Sequence, residues 1–372
     1  MLPVAVRKLS ILHTESSLGW GGQEIRILSE AQGLIGRGHD VRLACPAEAR
    51  IYAEAARWGV PVSPLPIAKK RLRGLLALRD WLRRHPCDLV STHSSTDSWL
   101  VALAALYLGR RLPVVRTRHI SAPVSAGWAT RWLYGRAADR IVTTGEALRR
   151  QLIDENGLRP GKIESVPTGI DPDRFVPGDR HDVRRRLNLP QDLRLVGIVA
   201  TLRSWKGHHV LIEAITGMPA EVGLVIVGDG PRREKLEHMV DQHTLRSRVW
   251  FAGNQDDVRP WLHAFDVFAL PSLANEGVPQ ALVQAMMSGI PCVTTDIGGI
   301  PELAQHESTA LVVAPHDSGA LGAALSRLLA DRGLARRLSG AARDNCVRNF
   351  SRQHMLERME RIYAAVCAGG AP

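Results

Sequence analysis

The stretch RLVGIVATLRSWKGHHVLIEAI (residues 194–215) decides how the whole chain is read. Residues 194–201 form a short apolar run rich in β-branched residues, without the alternation of a half-exposed strand. That suits a parallel strand covered on both faces. A brief polar loop follows, carrying Arg203, Lys206 and Gly207, and then an apolar pattern of helical period begins. Strand, loop and helix in this order form the repeating unit of a parallel sheet wound with helices.

The unit recurs in both directions. Strands are expected near residues 9–14, 40–45, 88–93, 113–118 and 140–144, and again near 194–201, 223–228, 249–253, 266–271, 291–296 and 310–315. Between the two series, VPTGIDPDRFVPGDRHD (166–182) is rich in Pro, Gly and Asp and lacks periodicity, which marks a linker. At 372 residues the chain also exceeds the size at which a single core keeps growing. The sequence therefore predicts an α/β protein of two doubly wound domains joined near residues 170–185. Two such domains facing each other would enclose a cleft, and ligands of these sheets bind beyond the carboxyl ends of the strands.

Bulk properties narrow the function. Apolar content of 45% and charged content of 23% fit a soluble globular protein. The longest apolar run, residues 99–109, falls short of the roughly 20 residues that cross a bilayer, and the first residues lack a signal-peptide pattern. The expected compartment is the cytoplasm. Five cysteines (45, 87, 292, 346 and 367) are scattered without a CxxC pair, so neither structural zinc nor a disulfide framework is expected. The net charge of +11 points to anionic partners: nucleic acid, an anionic membrane or anionic small substrates. Nucleic-acid binding needs stacking aromatics among the cations, and only nine of the 372 residues are Phe or Tyr. A dinucleotide fold is disfavoured as well. In LVIVGDGPRREKL (224–236), Arg233 stands where the third glycine of the fingerprint is required.

Four loops carry candidate chemistry. In SSLGWGGQE (16–24), Gly21 and Gly22 allow close backbone approach to a phosphate or acidic sugar at a helix start, or serve an ordinary βα turn. His119 lies just past a strand in VVRTRHIS (114–121), beside Arg116 and Arg118, and is either structural or ligand-facing. Arg203 and Lys206 can clamp a diphosphate, the arginine by forked bonds and the lysine as a point charge, or remain solvated. In NEGVPQALVQAMMSGIP (275–291), Pro279 suits the first turn of a helix running to about Ser288. Glu276 before it can hold sugar hydroxyls, and Gln284, one turn past Gln280, can reach a ribose.

The ordered series GGQE, RTR followed by His119, VPTGID…F, LRSWKG, IVGDGP, EGVPQALVQAMMSGIP and DIGGIPEL resembles the family 4 retaining glycosyltransferases of the GT-B fold along nearly the whole chain. The resemblance implies two Rossmann-like domains, an acceptor-binding one over residues 1–170 and a nucleotide-sugar-binding one over 171–350. Residues 351–372 would be a helix packing back on the first domain. It implies transfer of a sugar from a nucleotide-diphosphate sugar to a glycan or lipid-linked acceptor, without a metal or other cofactor and without nucleic acid as partner. Arg203 and Lys206 would stabilise the leaving diphosphate, Glu276 would contact the donor sugar, and His119 would lie near that sugar from the other domain. Gly277, Val278, Gln280 and Gln284 would hold the donor, and Gly21 and Gly22 would line its phosphate and acceptor side. Two positions depart from the family: Gln284 replaces a glutamate that binds ribose hydroxyls, and Pro279 replaces a frequent glycine. Neither departure changes the expected reaction class. A nucleotide-sugar epimerase or hydrolase on the same architecture remains the alternative.

One further segment bears on where the protein works. IAKKRLRGLLALRDWLRRH (67–85) holds seven Lys or Arg residues, with Leu72, Leu75, Leu76 and Leu82 on one helical face and Trp81 close by. Either the leucines pack on the sheet and the cations are solvated, or the arginines meet an anionic membrane. WATRWLYGR (128–136) adds two tryptophans and two arginines. Lipopolysaccharide or related surface-glycan synthesis, at the inner face of the plasma membrane, is the setting this suggests.

Overall fold

The structure is a computed structural model that describes residues 7–119, 124, 127–274 and 276–369. Of the segments named above, Asn275 and residues 1–6, 120–121 and 370–372 lie outside the described residues. The chain divides into two compact units, Met1–Gly169 with Arg352–Pro372, and Ile170–Ser351.

The first unit contains strands β1 (Ser10–Thr14), β2 (Asp40–Cys45), β3 (Val62–Pro64), β4 (Leu89–Thr92), β5 (Val114–Arg118), β6 (Arg140–Thr143) and β7 (Ile163–Ser165). Its helices are α1 (Gly22–Gly36), α2 (Arg50–Ala55), α3 (Leu72–Arg84), α4 (Ser95–Leu106), α5 (Trp128–Gly135) and α6 (Glu146–Asp154). The strands form one parallel sheet in the order β3-β2-β1-β4-β5-β6-β7. The edge strands β3 and β7 carry no sequence signal strong enough to have been expected. Each is three residues long, and β3 ends in Pro64, whose missing N–H is tolerated at an edge.

The second unit contains β8 (Arg194–Val199), β9 (Val222–Val227), β10 (Val249–Gly253), β11 (Val267–Leu270), β12 (Cys292–Thr295) and β13 (Leu311–Val313), with α7 (Arg180–Arg186), α8 (His208–Thr216), α9 (Arg233–Gln242), α10 (Arg259–Ala264), α11 (Gln280–Met287), α12 (Ser318–Ala330) and α13 (Arg332–Asn349). Its parallel sheet runs β10-β9-β8-β11-β12-β13. Val225, Ile226, Phe268 and Val293 are fully buried between the helical layers, each contributing about 1.5–3 kcal/mol of hydrophobic stabilisation. The last helix, α14 (Arg352–Cys367), belongs to the first unit. Its Leu356, Met359, Ile362 and Tyr363 join the cluster that holds Leu28 and Leu34 of α1. Gly33 is small because α14 passes there: a Cβ at this position would lie 2.4 Å from Leu356.

In both parallel sheets the strand order reverses once, between β1 and β4 and between β8 and β11. At such a switch point the flanking loops part, and ligands bind in the opening beyond the strand ends.

Two expectations need correction. Pro279 is not inside the first turn of α11 but at its N-cap, with φ −73° and an extended ψ of 119°, where its carbonyl accepts from Leu282 and Val283. In α3 the buried face is made by Gly74, Leu78, Trp81 and Leu82, whereas Leu72 and Leu76 are exposed. The inward stripe is therefore displaced from the leucines the sequence grouped together.

Candidate active site

In the second unit, the loop after β8 and the loop after β11 are locked together. Gly207 (φ +72°) lets the chain turn into α8 directly over the end of β11, where a Cβ would lie 1.8 Å from the Pro271 carbonyl oxygen. Leu273 N–H donates to the Trp205 carbonyl at 2.7 Å. This junction brings Lys206 to Glu276: Nζ donates to Oε1 at 2.5 Å, and Ser272 Oγ donates to the same oxygen at 2.6 Å. Glu276 is nearly inaccessible and Lys206 only partly so. The carboxylate is held from behind as well, because Gly298 (φ +61°) lets the loop after β12 close against its backbone and Gly299 N–H donates to its carbonyl at 3.1 Å.

Arg203 and Lys206 are not brought together as a matched pair. Arg203 is exposed, its guanidinium lies 5.4 Å from the Trp205 ring, and it has no ion pair among the described residues. Beside it a cavity of about 450 Å³ opens between α8 and α9, lined also by His208, Arg232 and Lys235. His208 is buried without a hydrogen-bond partner for either ring nitrogen, and burial, then Lys206, pushes its pKa down to about 3. Gly277 is half-buried and Val278 buried where the chain enters α11. Gln280 and Gln284 share one face of that helix, half-buried, above the buried Leu282, Val283, Ala285 and Met286.

The first unit puts a different chemistry at its switch point. His13 on β1 and His93 after β4 are buried, and His119 follows β5, half-buried. His13 Nδ1 lies 2.8 Å from His93 Nε2, and His93 Nδ1 lies 3.0 Å from His119 Nε2. Burial holds His93 and His119 well below the ordinary histidine value; His13 and Arg26 then act on His93, Arg26 and Arg118 on His119. The cations expected to flank His119 toward a ligand are otherwise engaged. Arg116 is buried, donates to the Tyr134 hydroxyl at 3.1 Å and stacks on its ring, and Arg118 reaches the same hydroxyl at 3.5 Å.

Gly21 caps α1 in an extended conformation and Gly22 opens the helix. The loop before them is organised by Glu15, whose carboxylate accepts from Ser17 N–H at 2.7 Å and from the Gln23 amide. Burial, then the nearby Asp97, pushes the Glu15 carboxyl up to about 8. Asp97 is itself buried and raised by burial, while accepting from Thr14 at 2.7 Å and from Ser94. Sequence reasoning passed over Glu15, His13, His93 and Asp97. LHTE and STHSSTD both end strands at the switch point, so asking which titratable residues terminate adjacent strands would have found them. Among the described residues no cluster of three or more His, Cys, Asp or Glu could hold a metal ion.

Two parallel-sheet α/β units, each with charged or titratable side chains at its switch point, define the GT-B class of fold. Residues 179–345 match the family described as Glycosyl transferases group 1, and residues 20–174 match Glycosyltransferase Family 4. The lipopolysaccharide core biosynthesis glycosyltransferase LpsE of Rhizobium meliloti is 30% identical over 64% of this chain and 68% of its own. The D-inositol 3-phosphate glycosyltransferase of Xylanimonas cellulosilytica is 29% identical over 92% of this chain and 91% of its own. Among solved structures, Anabaena HepE in complex with UDP and glucose superposes with a TM-score of 0.86 at 23% identity, covering 96% of this chain and 100% of that one. The chain belongs to the family 4 glycosyltransferases and is a glycosyltransferase enzyme.

Proposed function

We propose that this enzyme moves a sugar, with retention at the anomeric carbon and without a metal, from a nucleotide-diphosphate sugar to a glycan or glycolipid acceptor of a bacterial surface polysaccharide such as lipopolysaccharide. The observation that carries the reading is the Ser272–Glu276–Lys206 constellation at the switch point of the second unit. A carboxylate beside an anionic diphosphate is costly unless a cation lies between them, and Lys206 can serve both. Glu276 then keeps its second oxygen for donor-sugar hydroxyls. Arg203, with no carboxylate to satisfy, adds a forked contact to the leaving phosphates. Gly277, Val278 and the start of α11 supply backbone amides for the same charge, and Gln280 and Gln284 face the ribose. Charge that develops as the diphosphate departs is met by groups already in place, which is the most effective form of electrostatic catalysis. Gly21 and Gly22 leave backbone room for the phosphate and acceptor side, and His119 meets a sugar oxygen.

The names of relatives support the reading: LpsE for a lipopolysaccharide setting and the HepE complex for a uridine nucleotide donor. The test is a donor panel scored for nucleoside diphosphate release with and without a lipid-glycan extract, followed by the anomeric configuration of the product. Acceptor-dependent release and a retained configuration are expected. Release independent of acceptor would favour the hydrolase or epimerase alternative, and an inverted product would overturn retention.

A further inference from the structure

His13, His93 and His119 stand at the ends of three neighbouring strands, β1, β4 and β5, joined nitrogen to nitrogen. Each of the two contacts needs one proton. A neutral imidazole has one N–H and one lone pair, so three neutral rings in series have only two self-consistent arrangements. With the protons directed outward, His13 donates from Nδ1 to His93, His93 donates from Nδ1 to His119, and His119 is left with its N–H at Nδ1. With the protons directed inward, His119 keeps a lone pair at Nδ1 and His13 carries its N–H at Nε2.

The inner end decides between them. His13 Nε2 is buried without a partner. A buried N–H left without an acceptor costs its full desolvation penalty, and orphaned buried N–H groups are rare in folded proteins. The charged groups acting on His13 are Glu30 and Arg26 of α1, with opposite sign. Tyr363 of α14 donates to Glu30 Oε1 at 2.6 Å, while Glu30 Oε2, 3.7 Å from Arg26 Nε, accepts no hydrogen bond and lies beyond hydrogen-bond distance of His13 Nε2. Among the described residues no carboxylate receives a proton from His13. Charging His119 would require it to donate from both nitrogens, which reverses every proton behind it and leaves His13 with the stranded N–H. Arg26 and Arg118 oppose that charge too.

We propose that His13 and His93 are positioning residues whose relay holds His119 neutral with its N–H at Nδ1, so that His119 meets a sugar oxygen as a fixed hydrogen-bond donor and not as a base. The role in transfer rests on the function proposed above; the relay does not.

The test uses full-length protein with ¹⁵N-labelled histidine, His119 being assigned by the signal lost in H119Q. In the wild type, His119 should show a protonated Nδ1 and a lone pair at Nε2 throughout about pH 5–8, the range in which a free histidine titrates. In H13Q the inner amide can turn to donate or accept, which releases the lock. The His119 titration should then move up towards 6.5, so that its Nε2 lone pair becomes protonated within about pH 5–8. Unchanged circular dichroism separates this from misfolding. A lone pair at Nδ1 or a charged His119 at neutral pH in the wild type, or an H13Q titration identical to wild type, overturns the proposal. So does full transfer activity in H119Q. If the wild-type spectra are as expected but no donor is ever transferred, the proposed reaction fails and the relay is upheld.

Discussion

At the switch point of the second unit, the carboxylate is paired: Glu276 is buried against Lys206 and Ser272, with two glycines letting neighbouring loops close on it. At the same topological position in the first unit, Glu15 and Asp97 are buried and pushed towards their protonated forms, neither in an ion pair among the described residues, and three histidines are chained nitrogen to nitrogen. One arrangement keeps fixed charge at the site, and the other removes it. A sheet of the same strand order thus supports opposite electrostatics, set by which side chains end its central strands. The difference suits the proposed division of labour: fixed charge for a departing diphosphate, neutral donors and acceptors for sugar hydroxyls.

The largest effects are expected where charge is fixed. K206A and R203A should each lower kcat at least about 100-fold, the usual cost of removing a preorganised donor from a developing anion. The structure separates the two variants by stability. K206A leaves the buried Glu276 carboxylate with Ser272 alone and should lose about 1–3 kcal/mol, as expected when a buried polar group loses a charged partner; R203A, exposed and without an ion pair among the described residues, should melt like wild type. E276Q should cripple transfer with the nucleotide still bound. Equal melting temperatures for K206A and R203A would show that the Lys206–Glu276 pair contributes nothing to the fold.

The other side of the contrast is tested by pH. Glu15 is pushed up to about 8 from an ordinary 4.5, so the folded state holds a proton that the unfolded chain releases. Stability from this group is complete below the unfolded value and is lost as pH rises through about 8. Wild-type melting temperature should therefore fall between pH 6 and pH 9 by more than that of E15Q, whose amide copies the protonated form. Parallel curves for the two proteins would mean Glu15 is charged throughout.

A smaller change is expected at the position that departs from the family. Q284E should be tolerated, or should tighten donor binding several-fold, because a carboxylate accepts from ribose hydroxyls more strongly than an amide. Isothermal titration with the donor nucleotide measures it. Loss of binding would show that the site has been rebuilt around Gln284.

These contrasts also explain what the sequence conveyed. The strand–loop–helix rhythm is a repeated local pattern, so eleven of the strands stood out, and only the three-residue edges β3 and β7 did not. Glu276, Arg203 and Lys206 stood out because charge in a glycine-bearing loop is conspicuous. That Lys206 is tied to Glu276, while Arg203 is left at the rim, depends on the approach of Gly207 to Pro271, which no local pattern encodes. The histidine chain was hidden for the same reason. His13 and His93 are 80 residues apart and meet only because β1 and β4 are neighbours in the sheet.

The weakest effect concerns the surface of the first unit. No helix among the described residues is long and apolar enough to cross a membrane. Helix α3 buries Leu78, Trp81 and Leu82 inward, yet leaves Leu72 and Leu76 exposed among Arg71, Arg73, Arg83 and Arg84. Leu106 and Tyr107 at the end of α4 and Trp128 at the start of α5 are exposed as well. Exposed large apolar groups beside exposed cations suit a bilayer interface better than bulk water, and each cation near an anionic surface adds about 1 kcal/mol. Replacing Arg71, Arg73, Arg83 and Arg84 by Gln should weaken sedimentation with phosphatidylglycerol vesicles, most clearly at low salt, while leaving turnover on a soluble acceptor unchanged. The exposed leucines give a second handle: L72S with L76S should weaken binding without altering its salt dependence, since they contribute area and not charge. Equal partition of wild type onto neutral and anionic vesicles, or none at low salt, would leave a soluble acceptor as the better account of this surface.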